Sequence, residues 1–237
     1  MLSFTQVNLH KASQATILLG RDMEEKNQVI AFLTEPYIFK GNITGLPNGT
    51  NTVYHKTRSS DNDPPGPRAG IVASKDIDLY SLDSKCSRDC AVAIAKLHGR
   101  RVLVVSAYLD ITKPAAPDWL QDVVNFAKDR RMPMILAADT NAHSNLYGPD
   151  TNARGEIFED FVLQNSLRIE NLGDDPTFEI KRGNTWARSH IDVTITWDLH
   201  FDLQNWRVDR SYNASDHNTI RFEAIANVVQ KTKIRPW

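Results

Sequence analysis

The chain has 237 residues, of which 41% are hydrophobic and 24% are charged, and its formal net charge at pH 7 is −1. This length suits one large domain or two small ones and allows a full hydrophobic core. The charge weakens a nucleic-acid-binding interpretation without excluding it, because proteins that grip duplex DNA usually present a basic surface.

Apolar periodicity predicts strands and helices over most of the chain. In chain order they are strand 2–9, helix 11–28, strand 29–37, a short strand near Val53 within a Gly- and Pro-rich loop at 41–67, strands 68–74, 76–80, 90–97 and 101–109, helix 115–130, strand 132–139, helix 154–166, and strands 190–197 and 219–225. Strand pairs with helices between them favour one α/β sandwich, with sheets inside and helices outside. We place this domain at residues 1–228, followed by a basic tail at 229–237.

Polar side chains stand where several predicted strands end: Asn8, Glu35, Tyr108, Asp139 with Asn141, and Asp192. A further cluster, Asp216 and His217, opens the last strand. Because a sheet gathers its strand ends at one edge, this pattern predicts one site built from many segments. Taken singly, each residue has an ordinary alternative, such as a helix cap for Asn8, a solvated turn for Glu35 or a rim aromatic for Tyr108.

The combined set of side chains suits cleavage of a phosphodiester or a phosphomonoester. Carboxylate and amide oxygens bind a hard cation such as Mg²⁺, which neutralises charge on the phosphate and the leaving oxygen. Asp192 is flanked by apolar strand residues and needs a partner, which His217 can supply. A His held by an Asp can contact developing charge, and an Asp–Asn pair can position the attacking water.

Eight segments in order resemble the endonuclease/exonuclease/phosphatase superfamily with the DNase I-like fold: "QVNLHKA", "TEPY", "SAYLD", "ADTNAHSNLYG", "RGEIFEDF", "PTF", "SHIDVTI" and "SDHNTI". More narrowly, "NLHKA", "NAHSNLYG…NARGE" and "DDPTF…SHIDVT" resemble the endonuclease domain of non-LTR (LINE-type) retrotransposons. The resemblance implies a four-layered α/β sandwich, in which two mainly antiparallel sheets pack face to face with helices outside.

The resemblance also implies a role for each matching residue. Glu35 is the expected principal metal ligand, with Asn8 beside it and Asp216 assisting the metal or the water. Mg²⁺ is the expected cofactor, with Mn²⁺ as a substitute. The groups that act on the phosphate or the water are Asp139 and Asn141, Tyr108 and Thr177 on phosphate oxygens, and the pair of Asp192 with His217.

Residues 178–189 predict a β-hairpin, because the turn signal Gly183-Asn184 lies between two β-prone arms. Its basic side chains are expected to read the DNA minor groove, whose width and potential depend on sequence; they are Lys181, Arg182 and Arg188. Trp186 either packs on a sugar or pins the hairpin to the sheet, and we expect pinning. The alternative interpretation of these residues is an ordinary solvated basic hairpin. If the hairpin does not select the DNA site, the loop at Asn145 is the next candidate.

The function that these features predict is a Mg²⁺-dependent DNA endonuclease. It nicks one strand of duplex DNA and leaves a 3′-hydroxyl that primes reverse transcription. Its expected partner is the reverse transcriptase domain of the same polyprotein, in the nucleus. The alternatives are an abasic-site repair endonuclease or phosphatase of the same fold, and a catalytically silent DNA- or protein-binding module.

Other features carry weaker expectations. Tyr147 replaces a Trp common in the resembling family, His190 is expected at the rim of the site, and His143 has no derived role. Cys86 and Cys90 would supply only half the ligands of a zinc site, with no His at ligand spacing nearby, so we expect a reduced pair in an intracellular protein. The sequence lacks a signal-peptide pattern and an apolar run of membrane-spanning length, so we expect no membrane partner. We also expect the domain, when isolated, to be a monomer.

Overall fold

A computed structural model describes residues 1–25, 28–56 and 66–226. The helices are α1 (Ser13–Glu25), α2 (Asp118–Asp129) and α3 (Ala153–Gln164), and a short 3-10 turn covers Asp83–Lys85. The strands are β1 (Leu2–Asn8), β2 (Gln28–Thr34), β3 (Ile38–Phe39), β4 (Asn42–Ile43), β5 (Asn51–Val53), β6 (Ala69–Ala73), β7 (Leu79–Ser81), β8 (Cys90–Leu97), β9 (Arg100–Tyr108), β10 (Met134–Asp139), β11 (Arg168–Ile169), β12 (Phe178–Arg182), β13 (Thr185–Ser189), β14 (Asp192–Trp197), β15 (Phe201–Asp209) and β16 (Thr219–Ala226).

Most of the strands form two six-stranded sheets, with spatial orders β15-β16-β1-β2-β6-β5 and β11-β14-β10-β9-β8-β7. Each sheet contains a parallel pair, β1 with β2 in the first and β9 with β10 in the second, and its other pairs are antiparallel. Two small hairpins, β3–β4 and β12–β13, stand outside the sheets. The prediction of two mainly antiparallel sheets is confirmed.

The two sheets pack face to face over an apolar core. The rings of Phe4, Phe32 and Phe222 stack within it, with centroids 5.1 to 6.4 Å apart. Helix α1 covers the outer face of the first sheet through residues such as Leu19. Helices α2 and α3 cover the outer face of the second sheet. The molecule therefore has four layers, helix–sheet–sheet–helix, and both faces of the central strands are buried, which explains their nearly continuous apolar runs.

The predicted elements agree with the structure except at three places. Strand β15 and the short strand β11 were not predicted, nor was the β3–β4 hairpin, of which β3 precedes the expected loop at 41–67 and β4 lies inside it. The expected tail at 229–237 lies outside the described residues, as does part of the loop at 41–67. Within the described ranges, no helix is long and apolar enough to cross a membrane.

Candidate active site

The strand ends that carry polar side chains meet at one edge of the sandwich. β9 and β10 run parallel and end at Tyr108 and Asp139, which are partners in the register. β14 runs antiparallel to β10, and its first residue, Asp192, pairs with Asp139. The expectation that Asp192 ends a strand is wrong, because it begins one, but the antiparallel direction brings it to the same edge.

Polar side chains join the two sheets directly beneath this edge. Gln6 Nε2 donates to the backbone oxygens of Ala138 and Val193 at 3.4 and 3.3 Å, and Gln6 Oε1 accepts from Thr194 Oγ1 at 2.8 Å. Ser106 Oγ donates to Leu33 O at 2.8 Å. Since each contacted residue lies within two positions of a site residue, these bonds align the strand ends of one sheet with those of the other.

His217 and Asp192 form a buried pair. His217 Nδ1 lies 2.8 Å from Asp192 Oδ2, and the ring of Phe178 meets the imidazole edge-on with centroids 5.0 Å apart. Burial disfavours the charged imidazole, but the neighbouring carboxylate of Asp192 outweighs it and raises the pKa of His217 to about 9. The pair predicted from sequence is therefore present, and His217 carries a proton at neutral pH.

Asp139 is 1% exposed and lies beside that pair. Asn8 Nδ2 donates to Asp139 Oδ2 at 2.8 Å and lies 3.4 Å from Glu35 Oε2. Burial and the negative charge of Asp192 raise the pKa of Asp139, while protonated His217 and the amide of Asn8 oppose the shift. A positive charge placed nearby therefore stabilises the ionised carboxylate of Asp139.

Glu35 and Asp216 are each contacted by a side chain from the loop after β1. Lys11 Nζ lies 2.9 Å from Glu35 Oε1, and His10 Nδ1 lies 3.2 Å from Asp216 Oδ1. His10, Lys11 and Glu35 all have positive φ, between 44° and 56°. The backbone bond from Lys11 N to Glu35 O at 2.7 Å holds these turns together. Both side chains lie in the segment "NLHKA", for which the sequence predicted no role beyond that of Asn8.

The donor set fits a hard divalent cation. Within the described part of the chain, Asp192 Oδ1 and Asp216 Oδ1 are buried oxygens without a hydrogen bond, although His10 lies at ion-pair distance from the second. Ligand atoms of Asp139, Asp192 and His217 all lie within 4.8 Å of one another. Buried carboxylate oxygens without donors are costly unless a cation or water approaches them. The predicted metal set of Glu35, Asn8 and Asp216 borders this group.

Tyr108 and Asn141 stand at the mouth of the site. Burial and the carboxylates of Glu35 and Asp139 raise the pKa of Tyr108 to about 12, so its hydroxyl keeps its proton. Asn141 has a φ of 47°, and its backbone N–H donates to Asp139 Oδ1 at 3.2 Å. This turn directs the loop after β10 outward at the position where a phosphate contact is expected.

Thr177 is buried, and its hydroxyl oxygen accepts the backbone N–H groups of Ile191 and Asp192, both at 3.0 Å. It therefore supports the backbone at Asp192, and its expected contact with a phosphate oxygen stays a prediction. Asn145 is exposed in the loop after β10, where its backbone N–H donates to Thr151 Oγ1 at 2.9 Å.

The β12–β13 hairpin forms as predicted, with Arg182 paired to Thr185 around the Gly183-Asn184 turn. Lys181 and Arg182 are exposed, and Arg188 Nε bonds Glu179 Oε2 at 3.2 Å. The expectation that Trp186 pins the hairpin to the sheet is wrong. Trp186 is 53% exposed on a hairpin that stands outside the two sheets, and the guanidinium of Arg188 lies 5.9 Å from the centre of its ring.

The substitution of Tyr147 for the expected Trp keeps the packing function of that position. Tyr147 is 7% exposed and meets Phe158 edge-on at 6.3 Å. His190 Nε2 lies 3.1 Å from Asp174 O at the rim, and His143 pairs with Asp150 at 2.9 Å. Neither His contacts the carboxylates of the site in the contacts that the structure describes.

Both cysteines are free thiols, of which Cys86 is half-buried and Cys90, the cross-strand partner of Ala107, is buried among apolar neighbours. Burial raises the pKa of both thiols, and most strongly that of Cys90. This environment agrees with the expected reduced pair and gives the cysteines no part in the site.

The model of a family described as "Endonuclease-reverse transcriptase" matches residues 102–221, about half of the chain. The matched range includes the segments that carry Asp139, Asp192 and His217. A curated relative, the putative 115 kDa protein in the type-1 retrotransposable element R1DM of Drosophila melanogaster, is 26% identical over 232 residues. The match covers 93% of this chain and 21% of that protein, so the chain spans about a fifth of the relative's length.

Solved structures show the same fold. The endonuclease domain of TRAS1, a telomere-specific non-LTR retrotransposon, superposes with a TM-score of 0.81 and 25% identity, covering 96% of this chain and 100% of that domain. A mannosyl-6-phosphatase of Bacteroides thetaiotaomicron superposes with a TM-score of 0.64 and 16% identity, covering 95% and 100% of the two chains. A 3′-5′ exonuclease of Neisseria meningitidis gives 0.61 and 16%, covering 94% and 99%. The fold is the DNase I-like α/β sandwich.

Proposed function

The chain belongs to the endonuclease–reverse transcriptase family, and from that premise we propose that it is a metal-dependent DNA endonuclease of a non-LTR retrotransposon. It cuts one strand of duplex DNA and leaves a 3′-hydroxyl from which a reverse transcriptase primes synthesis. The TRAS1 endonuclease domain, with its TM-score of 0.81, and the R1DM relative support this proposal over the other activities found on the same fold.

The single observation that carries the proposal is the convergence of Asp139, Asp192 and His217 within 4.8 Å at the edge where both sheets end. A structural protein gains nothing from two buried carboxylates beside each other, since their repulsion and desolvation are unfavourable. Strongly perturbed acids and bases grouped in this way are typical of catalytic sites.

His217 supplies positive charge to the reacting phosphate. Its bond to Asp192 fixes the ring and leaves Nε2 as the remaining N–H, directed away from the carboxylate. A preorganised donor of this kind stabilises charge that develops on a non-bridging phosphate oxygen during attack. Thr177 assists by holding the backbone at Asp192.

Asp139 orients the attacking water and receives its proton. Asn8 holds one carboxylate oxygen and the backbone N–H of Asn141 holds the other, which fixes the plane of the group. Asn141 and Tyr108 then contact the phosphate, Asn141 through its amide and Tyr108 through a hydroxyl that stays protonated at neutral pH.

Glu35, Asn8 and Asp216 would hold the divalent cation, Mg²⁺ or Mn²⁺. When bound, the ion neutralises charge on the scissile phosphate and on the leaving oxygen. We favour these oxygen ligands over His217, because a hard cation prefers oxygen and the imidazole is already held by Asp192 at 2.8 Å. Lys11 Nζ lies 2.9 Å from Glu35 Oε1, and its ammonium would be available to the DNA backbone if Glu35 held a cation.

The hairpin β12–β13 presents Lys181, Arg182 and Arg188 to the minor groove beside the scissile phosphate. Its base is tied to the site, since Phe178 pairs with His217 and Glu179 N bonds Asp216 O at 2.9 Å. Because the ring of Trp186 is exposed and does not pin the hairpin, it is free to pack on a sugar of the bound DNA. The loop at Asn145 adds a second contact. The domain acts in the nucleus, as part of a polyprotein that also carries the reverse transcriptase.

The first prediction concerns the catalytic residues. The substitutions Asp139→Asn and His217→Gln should each reduce nicking of supercoiled plasmid in Mg²⁺ by about 10² to 10⁴-fold, the usual range for a positioned acid–base group. Circular dichroism and melting temperature are measured on the same samples to confirm folding. Near-normal nicking by either folded variant would show that the reaction occurs elsewhere.

The alternatives are separated with the wild-type protein. A repair endonuclease would cut a duplex with one abasic site far faster than the same duplex intact, and a phosphatase would release phosphate from a phosphomonoester without nicking. A silent binding module would do neither. We expect comparable cleavage of intact and abasic duplexes.

A further inference from the structure

The segment "NARGE", residues 152–156, has no part in the mechanism above although it lies next to the site. Asn152 caps helix α3, and its Oδ1 accepts the backbone N–H groups of Gly155 at 2.8 Å and His143 at 3.4 Å. Gly155 packs so closely against the loop after β10 that an added Cβ would lie 1.6 Å from His143 O. The helix therefore begins directly against the loop that carries the catalytic carboxylate.

Arg154 stands in the first turn of α3, where the helix dipole disfavours a cation. Its guanidinium bonds outside the helix, to four backbone carbonyl oxygens. Nε donates to Thr140 at 3.1 Å, Nη1 donates to Lys113 at 2.6 Å, and Nη2 donates to Leu109 at 3.0 Å and Asp110 at 3.1 Å.

These carbonyls belong to the two loops that carry site residues of the second sheet. Thr140 lies between Asp139 and Asn141, and Leu109 directly follows Tyr108. The oxygen of Leu109 also accepts Asn141 Nδ2 at 3.3 Å, so the guanidinium and the catalytic loop share an acceptor. The backbone bond from Leu109 N to Asp139 O at 2.8 Å joins the two strand ends, and Arg154 ties together the loops that continue beyond them.

We propose that Arg154 is a positioning residue of the nuclease site, an inference that rests on the proposed function. The sheet register sets Tyr108 beside Asp139, and Arg154 holds the loop after Tyr108 against the loop that carries Asn141, so that all three groups address one phosphate and one water together. Lysine cannot replace it, because an ammonium is a point donor and does not span four carbonyls on two loops, whereas the planar guanidinium has five N–H groups in a fixed fork.

The test compares Arg154→Lys with Arg221→Lys. Arg221 is the matched control, since it is 6% exposed and bonds Asp209, Asp22 and Thr5, to which the mechanism assigns no part. Melting temperature, DNA affinity in EDTA, and kcat and KM for nicking in Mg²⁺ are measured for both. Arg154→Lys should lower kcat about 10- to 100-fold, because misplacement of reacting groups by about 1 Å has effects of this size. Its KM and its DNA affinity should stay within about 2-fold.

Arg221→Lys should lower the melting temperature and leave kcat of the folded protein unchanged. A kcat for Arg154→Lys within 2-fold of wild type would overturn the inference. So would a loss of activity in Arg221→Lys as large as that in Arg154→Lys, because then general destabilisation explains both.

A second measurement does not depend on activity. Amide hydrogen exchange should accelerate at least about 10-fold in segments 109–113 and 139–142 of Arg154→Lys, and not in Arg221→Lys. Unchanged exchange in both segments would overturn the inference even in an active protein. Wild-type protein that fails to nick DNA, while Arg154→Lys still loosens the two loops, would count against the proposed function and leave the positioning role standing.

Discussion

Asp139 illustrates why cations gather at this edge of the sandwich. Its carboxylate is buried, lies beside Asp192 and accepts from Asn8, so ionisation is opposed by desolvation and by a neighbouring negative charge. The proton on His217 relieves part of that cost. A divalent cation at the same edge would relieve more of it, which makes metal binding and ionisation of Asp139 mutually favourable.

The second prediction is a loss of nicking activity in alkaline solution. Because the pKa of His217 is raised to about 9, its charged form persists at neutral pH and is lost as pH rises through that value. Transition-state stabilisation by His217 should therefore be complete at pH 7.5 and fall about tenfold per pH unit well above pH 9. The rate of plasmid nicking is measured from pH 7 to 10, with circular dichroism at each pH. A flat profile to pH 10 in folded protein would show that His217 does not act as a cation.

At the scale of single residues, sequence located most of the candidate site, since Asn8, Glu35, Tyr108, Asp139 and Asp192 stand at one edge as expected. It gave no role to Lys11 or Arg154, whose contacts are with groups distant along the chain. Arg154 did carry a signal that was readable in advance, because a cation in the first turn of a helix opposes the helix dipole and needs another reason to be there.

The hairpin β12–β13 is the element that extends furthest toward DNA in the proposed complex. The start of its first strand is anchored, at Phe178 by the bridge to His217 and at Glu179 by bonds from Arg210. The turn end is exposed and carries Lys181, Arg182 and Trp186. An anchored base with a solvent-facing basic tip suits recognition of a groove whose shape varies with sequence.

The third prediction assigns site choice to that tip. The double substitution Lys181→Ala/Arg182→Ala should redistribute nicks in a long random duplex while total nicking stays within about tenfold, because charge that contacts the groove is lost without touching the site. Nick positions are mapped by sequencing. The control is Arg100→Ala/Arg101→Ala, which removes the same charge at the other end of β9 from Tyr108, about 26 Å along the strand. Equal nick maps for both double variants and wild type would place selectivity elsewhere, with the loop at Asn145 next in line.

At the scale of elements, alternation predicted the strands that bury side chains regularly and missed β15. In β15 the pairing with β16 shifts register between Gln204 and Arg207, so its apolar residues do not alternate evenly. Because of this bulge, Leu203 and Trp206 both face the core although they are three residues apart. The strand therefore lacks the alternation of apolar and polar residues by which the other strands were predicted. The position of Trp186 was likewise unpredictable, since it depends on how far the hairpin projects beyond the sheets.

For the whole molecule, catalysis depends on the alignment of two sheets. Asn8, Glu35 and His217 come from the first sheet, whereas Tyr108 and Asp139 come from the second. The shared apolar core, in which Phe4, Phe32 and Phe222 of the first sheet lie, holds the sheets together without fixing their alignment, because apolar packing is not directional. Gln6 and Ser106 add directional bonds across the interface, which explains why polar side chains are retained in this core.

The fourth prediction concerns stability in acid. Bonds from Thr112 and Arg68 outweigh burial and hold the pKa of Asp110 well below its ordinary value, and bonds from Ser211 and Arg221 do the same for Asp209. A depressed folded-state pKa contributes stability above the ordinary value of 3.8, which is lost as pH falls below it. The free energy of unfolding in urea should therefore be lower at pH 2.5 than at pH 7. Asp110→Asn/Asp209→Asn should be less stable at pH 7 and show a shallower fall. An equal pH dependence in the variant would contradict this assignment.

The fifth prediction addresses the central claim, that the site hydrolyses one phosphodiester of duplex DNA with a metal ion and leaves an extendable end. Supercoiled plasmid is treated with the protein in Mg²⁺, or in Mg²⁺ with excess EDTA, and is then given a DNA polymerase without strand-initiating activity and labelled nucleotides. We predict open circles in Mg²⁺ alone, with label incorporated at the nick because the 3′-hydroxyl is free. Asp139→Asn is the control for contaminating nucleases. Nicking undiminished by EDTA, or nicked circles that the polymerase cannot extend, would contradict the account.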